Sequence, residues 1–204
     1  MRKRPVALVA AAAFAYAFLY LPLVIVVVYS FNDSRLNAEW VGFTLDWYRK
    51  LFADDDMLLA ARNSLLIGMC ASLAATILGT MAGFAMHRWK TRLLPLLVLT
   101  PIAIPKILVG VSLLIFFVLL NFTLGLWSVA LAHIAFCIGF VAIVVRARMA
   151  GMDESLVEAA RDCGATPWQA FRHVTMPLIM PGVIAGALMA FTLSIDDFVI
   201  TFFT

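Results

Sequence analysis

The sequence predicts an all-α, polytopic membrane protein, and three observations predict it. Hydrophobic residues make up 64% of the chain and charged residues 13%, whereas a soluble domain is roughly half apolar and a quarter charged. Five apolar segments are each long enough for the roughly 20 residues that a helix needs to cross a bilayer. Basic residues gather in alternate loops, the asymmetry by which such proteins are oriented. The net charge of +3 therefore belongs to membrane topology and gives no reason to invoke nucleic acid.

The elements follow in order. Arg2, Lys3 and Arg4 precede an apolar stretch over residues 6–28, too long for a signal-peptide core and followed by no cleavage region, so an uncleaved first span is expected. In the next loop Leu45, Tyr48, Leu51 and Phe52 share one helical face. With Trp40 and Trp47 at the headgroup level they predict a helix lying in the interface, a docking face for a periplasmic partner being the alternative. The second span, 64–86, carries Gly79 and Gly83 as a G-x-x-x-G preceded by Ala75, a pattern for close helix packing. The third, 93–120, contains Pro95, Pro101 and Pro105. It should be kinked or partly unwound, which a membrane tolerates only where neighbours or a cavity satisfy the freed backbone groups. The fourth, 126–145, holds Ser128 and His133, expected as interhelical hydrogen-bonding residues rather than a proton relay. Cys70, Cys137 and Cys163 form no C-x-x-C pair and are expected to pack, not to bind metal or form a disulfide.

A polar island, EAARDCGATPWQAFRHVTMP over 158–177, separates the fourth span from the fifth. Its chemistry predicts two short helices. Asp153 caps the first, and Gly164 ends it because glycine takes a left-handed conformation without steric cost. Thr166, Pro167 and Gln169 then form a capping-box start for the second. Pro177 and Pro181 are expected to end that helix and launch the fifth span, 178–204.

Orientation follows from the loops. Arg2, Lys3, Arg4, Arg88, Lys90, Arg92, Arg146, Arg148, Arg161 and Arg172 lie on one side. The other side holds fewer basic residues and the acids Asp33, Glu39, Asp46, Asp54, Asp55 and Asp56. The N-terminus and the island are thus expected in the cytoplasm.

The spacing Glu158-Ala159-Ala160, then Gly164, then Val174-Thr175-Met176-Pro177 resembles the EAA loop of ABC-importer permease subunits, with Val174 and Met176 where that pattern has Ile and Leu. The phrase FTLSIDDFVITFF resembles the fifth-span motif of spermidine/putrescine-type permeases. The resemblance implies a type I ABC importer fold with six core spans, of which five are visible, so the last span is expected to be missing. It implies one permease domain over 1–204 containing a cytoplasmic coupling loop over 152–177, in which Glu158, Ala159, Ala160, Gly164 and Pro177 dock an ATPase. It further implies a second permease subunit, a cytoplasmic ABC ATPase dimer, a periplasmic substrate-binding protein, surrounding membrane lipid and a small-molecule cargo, with no cofactor and no metal.

Three charges fall inside spans, Lys106, Asp196 and Asp197. Charges there cost at least roughly 2.5–3.5 kcal/mol each on insertion scales, which makes them candidates for function. Asp196 and Asp197 are neighbours about 100° apart on a helix and cannot face one partner. With Ser194 and Lys106 they are expected along the substrate path, where the resemblance implies acidic groups for a polycation. The structural alternative is that the aspartates pair with Lys106 or cap a broken helix. A lysine would repel a cation, which keeps other cargo of the same family open: an aminophosphonate, an opine or an iron chelate. An ion-coupled secondary transporter using Asp196, Asp197 and His133 is the rival of another class. No phosphate-binding G-x-x-x-x-G-K-[ST], H-E-x-x-H or G-x-S-x-G occurs, so a non-catalytic subunit is expected, with ATP hydrolysis on a partner.

Overall fold

The computed structural model describes residues 6–35, 39–89 and 91–204. Arg2, Lys3, Arg4 and Lys90, all part of the basic asymmetry, lie outside the described residues. Helices dominate, and among the described residues the only extended pairing is an isolated bridge between Asn32 and Phe43. The chain forms two compact units, Met1–Ala60 and Ala61–Thr204.

In the first unit, α1 (Val6–Tyr29) is apolar on every face, as a helix surrounded by lipid or other spans must be. Its side chains from Leu8 to Val28 are exposed. The turn that follows is organised by Asn32, which is fully buried. Its amide donates to the Glu39 carbonyl at 2.6 Å and accepts from the Val41 N–H at 2.8 Å, while its own carbonyl accepts from the Trp47 indole at 3.0 Å. That satisfaction is what permits a buried amide. A helix stands where the interfacial one is expected, α2 (Asp46–Phe52).

The helix α3 (Asp55–Arg88) begins within the first unit and supplies the first long helix of the second. It is joined there by α4 (Leu93–Ala103), α5 (Lys106–Leu119), α6 (Leu126–Ala150), α7 (Ser155–Asp162), α8 (Pro167–Ala170), α9 (Met176–Ile195) and α10 (Val199–Phe203). The core of this unit is α6, buried at Ala132, Val141, Ala142 and Val145. Small residues bring its neighbours close, as the G-x-x-x-G predicts. A Cβ at Gly79 would lie 2.6 Å from the Val141 Cβ and 2.9 Å from the Ile138 carbonyl oxygen. From α9, a Cβ at Gly186 would meet Val141 Cγ1 at 3.1 Å. Ser72 of α3 donates to the Ala187 carbonyl at 2.7 Å, closing the triangle.

Gly79→Leu should therefore cost about 1–3 kcal/mol, because the obstruction includes backbone that no rotamer can relieve. The check is the melting temperature of the purified protein. An unchanged melt would mean that α3 does not pack on α6 at this glycine.

The third span is more than kinked. Its halves, α4 and α5, are bent by 106°. The break falls at Ile104, extended with ψ 137°, and Pro105, with φ −54° and ψ 133°. Proline disfavours helical conformation in the residue before it, which selects this proline as the breaking point. Pro95 lies in the first turn of α4, where the missing N–H has no intrahelical acceptor, and Pro101 is accommodated inside α4. Among the described residues four helices are long and apolar enough to cross a membrane, and up to five if the bent pair is one span.

Two expectations need correction. Pro177 and Pro181 do not end a helix: the chain stays helical from Pro167 to Ile195. A π-turn over Phe171–Thr175 makes this work, with the Met176 N–H reaching back to the Phe171 carbonyl. The wider turn relieves the clash that the Pro177 ring would make in a regular α-helix. Of the cysteines only Cys137 is buried, whereas Cys70 and Cys163 are exposed.

Candidate functional site

Two sites emerge, a polar loop and a charged break inside the spans. At the loop, local chemistry builds what the sequence specifies. The Asp153 carboxylate accepts the Ser155 N–H at 3.0 Å at the start of α7. Hydrogen bonds from the Ser155 hydroxyl and N–H hold this carboxyl below its ordinary pKa. Its contribution to the helix start is therefore present at neutral pH and lost as pH falls through the lowered value.

Gly164 has φ +89°. Its N–H bonds the Arg161 carbonyl at 2.9 Å and the Ala165 N–H bonds the Ala160 carbonyl at 3.0 Å, the paired bonds of a Schellman motif. The next helix opens with a reciprocal capping box: the Gln169 N–H donates to Thr166 Oγ1 at 3.3 Å and the Thr166 N–H to Gln169 Oε1 at 2.8 Å. Glu158, Ala159, Gly164 and Pro177 are exposed, and Ala160 is half-buried.

Beneath this loop lies a cleft of about 590 Å³ lined by Phe84, His87, Glu154, Glu158, Arg161 and Phe171, among others. His87 Nε2 is 3.3 Å from Glu154 Oε1, and Phe84 meets Phe171 edge-on at 5.5 Å. Arg148 near the end of α6 donates to the Leu178 carbonyl at 3.0 Å. Trp168 stacks on Phe171 at 5.6 Å yet remains 66% exposed. Neither Trp168 nor His87 stands out in the sequence reading, and an aromatic residue directly after the Thr-Pro start of a docking helix is the signal that could have found the first.

At the second site the fifth span is interrupted. The residues Asp196, Asp197 and Phe198 lie between α9 and α10 and are not helical. This break places the two aspartates in opposite environments: Asp196 is exposed and Asp197 is buried. Asp197 Oδ1 accepts the Ile200 N–H at 2.8 Å, capping α10. Lys106 Nζ, from the first residue of α5, approaches Asp197 Oδ2 to 2.9 Å as a charge contact outside hydrogen-bonding geometry.

The two broken spans thus meet at their breaks, and α5 and α10 then pack together, with Gly110 against the Phe203 ring. One carboxylate thus caps α10 through the Ile200 N–H and meets the side chain of the first residue of α5. Lys106 also faces the Phe136 ring at 5.3 Å.

His133 completes the cluster. Its Nδ1 lies 2.7 Å from Ser194 Oγ and its Nε2 3.0 Å from Thr201 Oγ1, whose own proton goes to the Asp197 carbonyl at 2.8 Å. Thr201 Oγ1 therefore accepts from the Nε2–H, and Nδ1 is hydrogen-bonded with the Ser194 hydroxyl, so both ring nitrogens are occupied. Ser128 Oγ lies 2.5 Å from the Thr204 carbonyl oxygen. Lys106, Asp197 and Ser194 are brought together through His133 and Thr201, while Asp196 stands apart on the open side. Phe136 and Thr201 are additions that the sequence reading lacks. For Phe136 no sequence signal exists, since one aromatic in an apolar span is ordinary.

Fold and sites define an all-helical, multi-pass membrane protein of the permease class. The chain belongs to the family described as binding-protein-dependent transport system inner membrane component, which it matches over residues 75–204. It is 41% identical over 185 residues to the putrescine transport system permease protein PotI of Escherichia coli K12, covering 86% of this chain and 66% of that protein. It is 40% identical over 177 residues to the spermidine/putrescine transport system permease protein PotC of the same strain, covering 85% and 67%. A more distant relative is the PotC homolog of Mycoplasma pneumoniae, 28% identical over 153 residues and covering 72% and 54%. The chain thus spans about two thirds of the length of the two E. coli relatives.

Proposed function

We propose that this chain is the transmembrane permease subunit of an ATP-driven ABC importer for putrescine or spermidine. The observation that carries the reading is the identity of about 40%, over some 85% of the chain, to two permeases named for those polyamines. The chain is read as one permease domain over 1–204, working with a second permease, a cytoplasmic ATPase dimer that performs the hydrolysis, and a periplasmic binding protein. The N-terminus and the loop over 152–177 face the cytoplasm, an orientation supported by the basic residues around Arg88, Arg148 and Arg161.

In the proposed mechanism the ATPase grips the exposed surface of Glu158, Ala159, Gly164 and Pro177, with Ala160 packed behind. Closure of the ATPase displaces α7 and α8 and, through the unbroken helix into α9, shifts the region of Ser194 and Asp196. Asp196 is the exposed carboxylate and accepts a cargo ammonium, while Asp197 and Lys106 border the path as a neutralised pair. At rest the pair cancels its own charge, so Lys106 does not meet an arriving polycationic cargo as a free cation.

The test is uptake of labelled putrescine and spermidine by the full complex in transport-deficient cells. Asp196→Asn should reduce uptake about tenfold at limiting cargo, the loss of one charge-assisted hydrogen bond worth about 1.5 kcal/mol. No uptake of either polyamine with the ATPase still co-purifying would discard the cargo. Uptake that survives deletion of the ATPase but collapses with the proton gradient would replace the reading with an ion-coupled transporter.

A further inference from the structure

We propose that Lys106 is a tethered stand-in for the cargo, occupying the Asp197 carboxylate at rest and yielding it to a cargo ammonium during transport. This deepens the polyamine reading and rests on it. The Asp197 side chain is 2% exposed, and its two oxygens are differently committed. Oδ1 serves the Ile200 N–H, a structural cap, whereas Oδ2 has no hydrogen-bond partner among the described residues and is met by the Lys106 ammonium at 2.9 Å. The lysine side chain is 38% exposed against 2% for the carboxylate, so the lysine is the accessible member of the pair.

The chemistry of that lysine matches the cargo. A lysine side chain is a four-carbon chain ending in a primary ammonium, the same unit as one end of 1,4-diaminobutane. Whatever seats the lysine therefore seats putrescine: a carboxylate oxygen 2.9 Å from the ammonium and the Phe136 face 5.3 Å from it. Emptying the site would strand a buried carboxylate, which is costly. Exchanging one primary ammonium for another leaves its charge balanced throughout. The swap is thus the low-cost route by which Asp197 takes part in transport, and it keeps the site from being vacant to smaller cations.

The experiment measures equilibrium binding of labelled putrescine to the full permease and ATPase complex in lipid nanodiscs, without the binding protein, so that the affinity belongs to the path. If Lys106 holds the carboxylate nine-tenths of the time, Lys106→Met should tighten binding about tenfold, since the apparent affinity is reduced by the fraction of sites that are free. Lys106→Arg keeps the pair and the fold but is a stronger, bidentate competitor, and should weaken binding severalfold. Should the methionine variant fail to assemble, the arginine variant decides alone. Affinity unchanged by the arginine, or weakened by the methionine, overturns the displacement and leaves Lys106 as a structural counter-ion. Complete absence of putrescine and spermidine transport by the wild-type complex with its binding protein and ATP overturns the polyamine reading and this inference together. Intact transport with an affinity indifferent to Lys106 overturns the inference alone.

Discussion

Gly164→Pro is expected to abolish uptake while leaving the spans folded. At φ +89° the position is closed to proline, whose ring holds φ near −65°. The substitution also removes the N–H that bonds the Arg161 carbonyl and displaces the Ala165 N–H from the Ala160 carbonyl. Both bonds of the motif that turns α7 toward α8 are lost, so the loop can no longer present one surface. The spans do not depend on this turn, because α6 and α9 are held by their own contacts at Val141 and Arg148. The measurement pairs uptake with ATPase co-purification: uptake should vanish, and co-purification should fall by at least tenfold. Normal uptake by the variant would sink the docking role of this loop.

The second large effect is on stability. Asp197→Ala should cost about 1–2 kcal/mol, since it removes the counter-charge of Lys106 and uncaps the Ile200 N–H. Adding Lys106→Met should restore a substantial part of that loss, because removing both members of a buried pair is far less harmful than removing one. Melting temperatures of the wild type, both single variants and the double variant close the cycle. Strict additivity would show that the two residues do not interact across the break.

The loop was legible in the sequence because its determinants are local. Thr166 and Gln169 recognise each other over one turn, and Gly164 needs no distant partner to adopt its conformation. The third span was legible as interrupted for the same reason, since Pro105 acts on the residue before it. The interruption of the fifth span entered the sequence reading only as the alternative that the aspartates pair with Lys106 or cap a broken helix, because no proline or glycine stands at residues 196–198 to mark it. That break is stabilised by a lysine from another span and by a cap onto Ile200, and only the cap has a local signature. The continuity of α8 into α9 was hidden by Pro177 and Pro181, which look alike whether a helix ends there or passes through a π-turn. Intramembrane charge marked Lys106 and Asp197 as unusual, but their pairing depends on tertiary approach. The separation of Asp196 from Asp197 follows from the broken backbone, and a straight-helix projection cannot supply it.

The small-residue contacts around α6 have a mechanical consequence. Val141 is clasped by Gly79 on one flank and Gly186 on another, and Arg148 ties the foot of α6 to that of α9. Close-packed surfaces of this kind transmit displacement with little compression. Under the proposed coupling, a push delivered at the loop between α6 and α9 would find little room to be absorbed by bending within this trio. The compliance of the molecule is left to the unwound joints at Ile104–Pro105 and at Asp196–Phe198. Those joints meet at the ion pair of Lys106 and Asp197, the contact that any movement of one break against the other would strain.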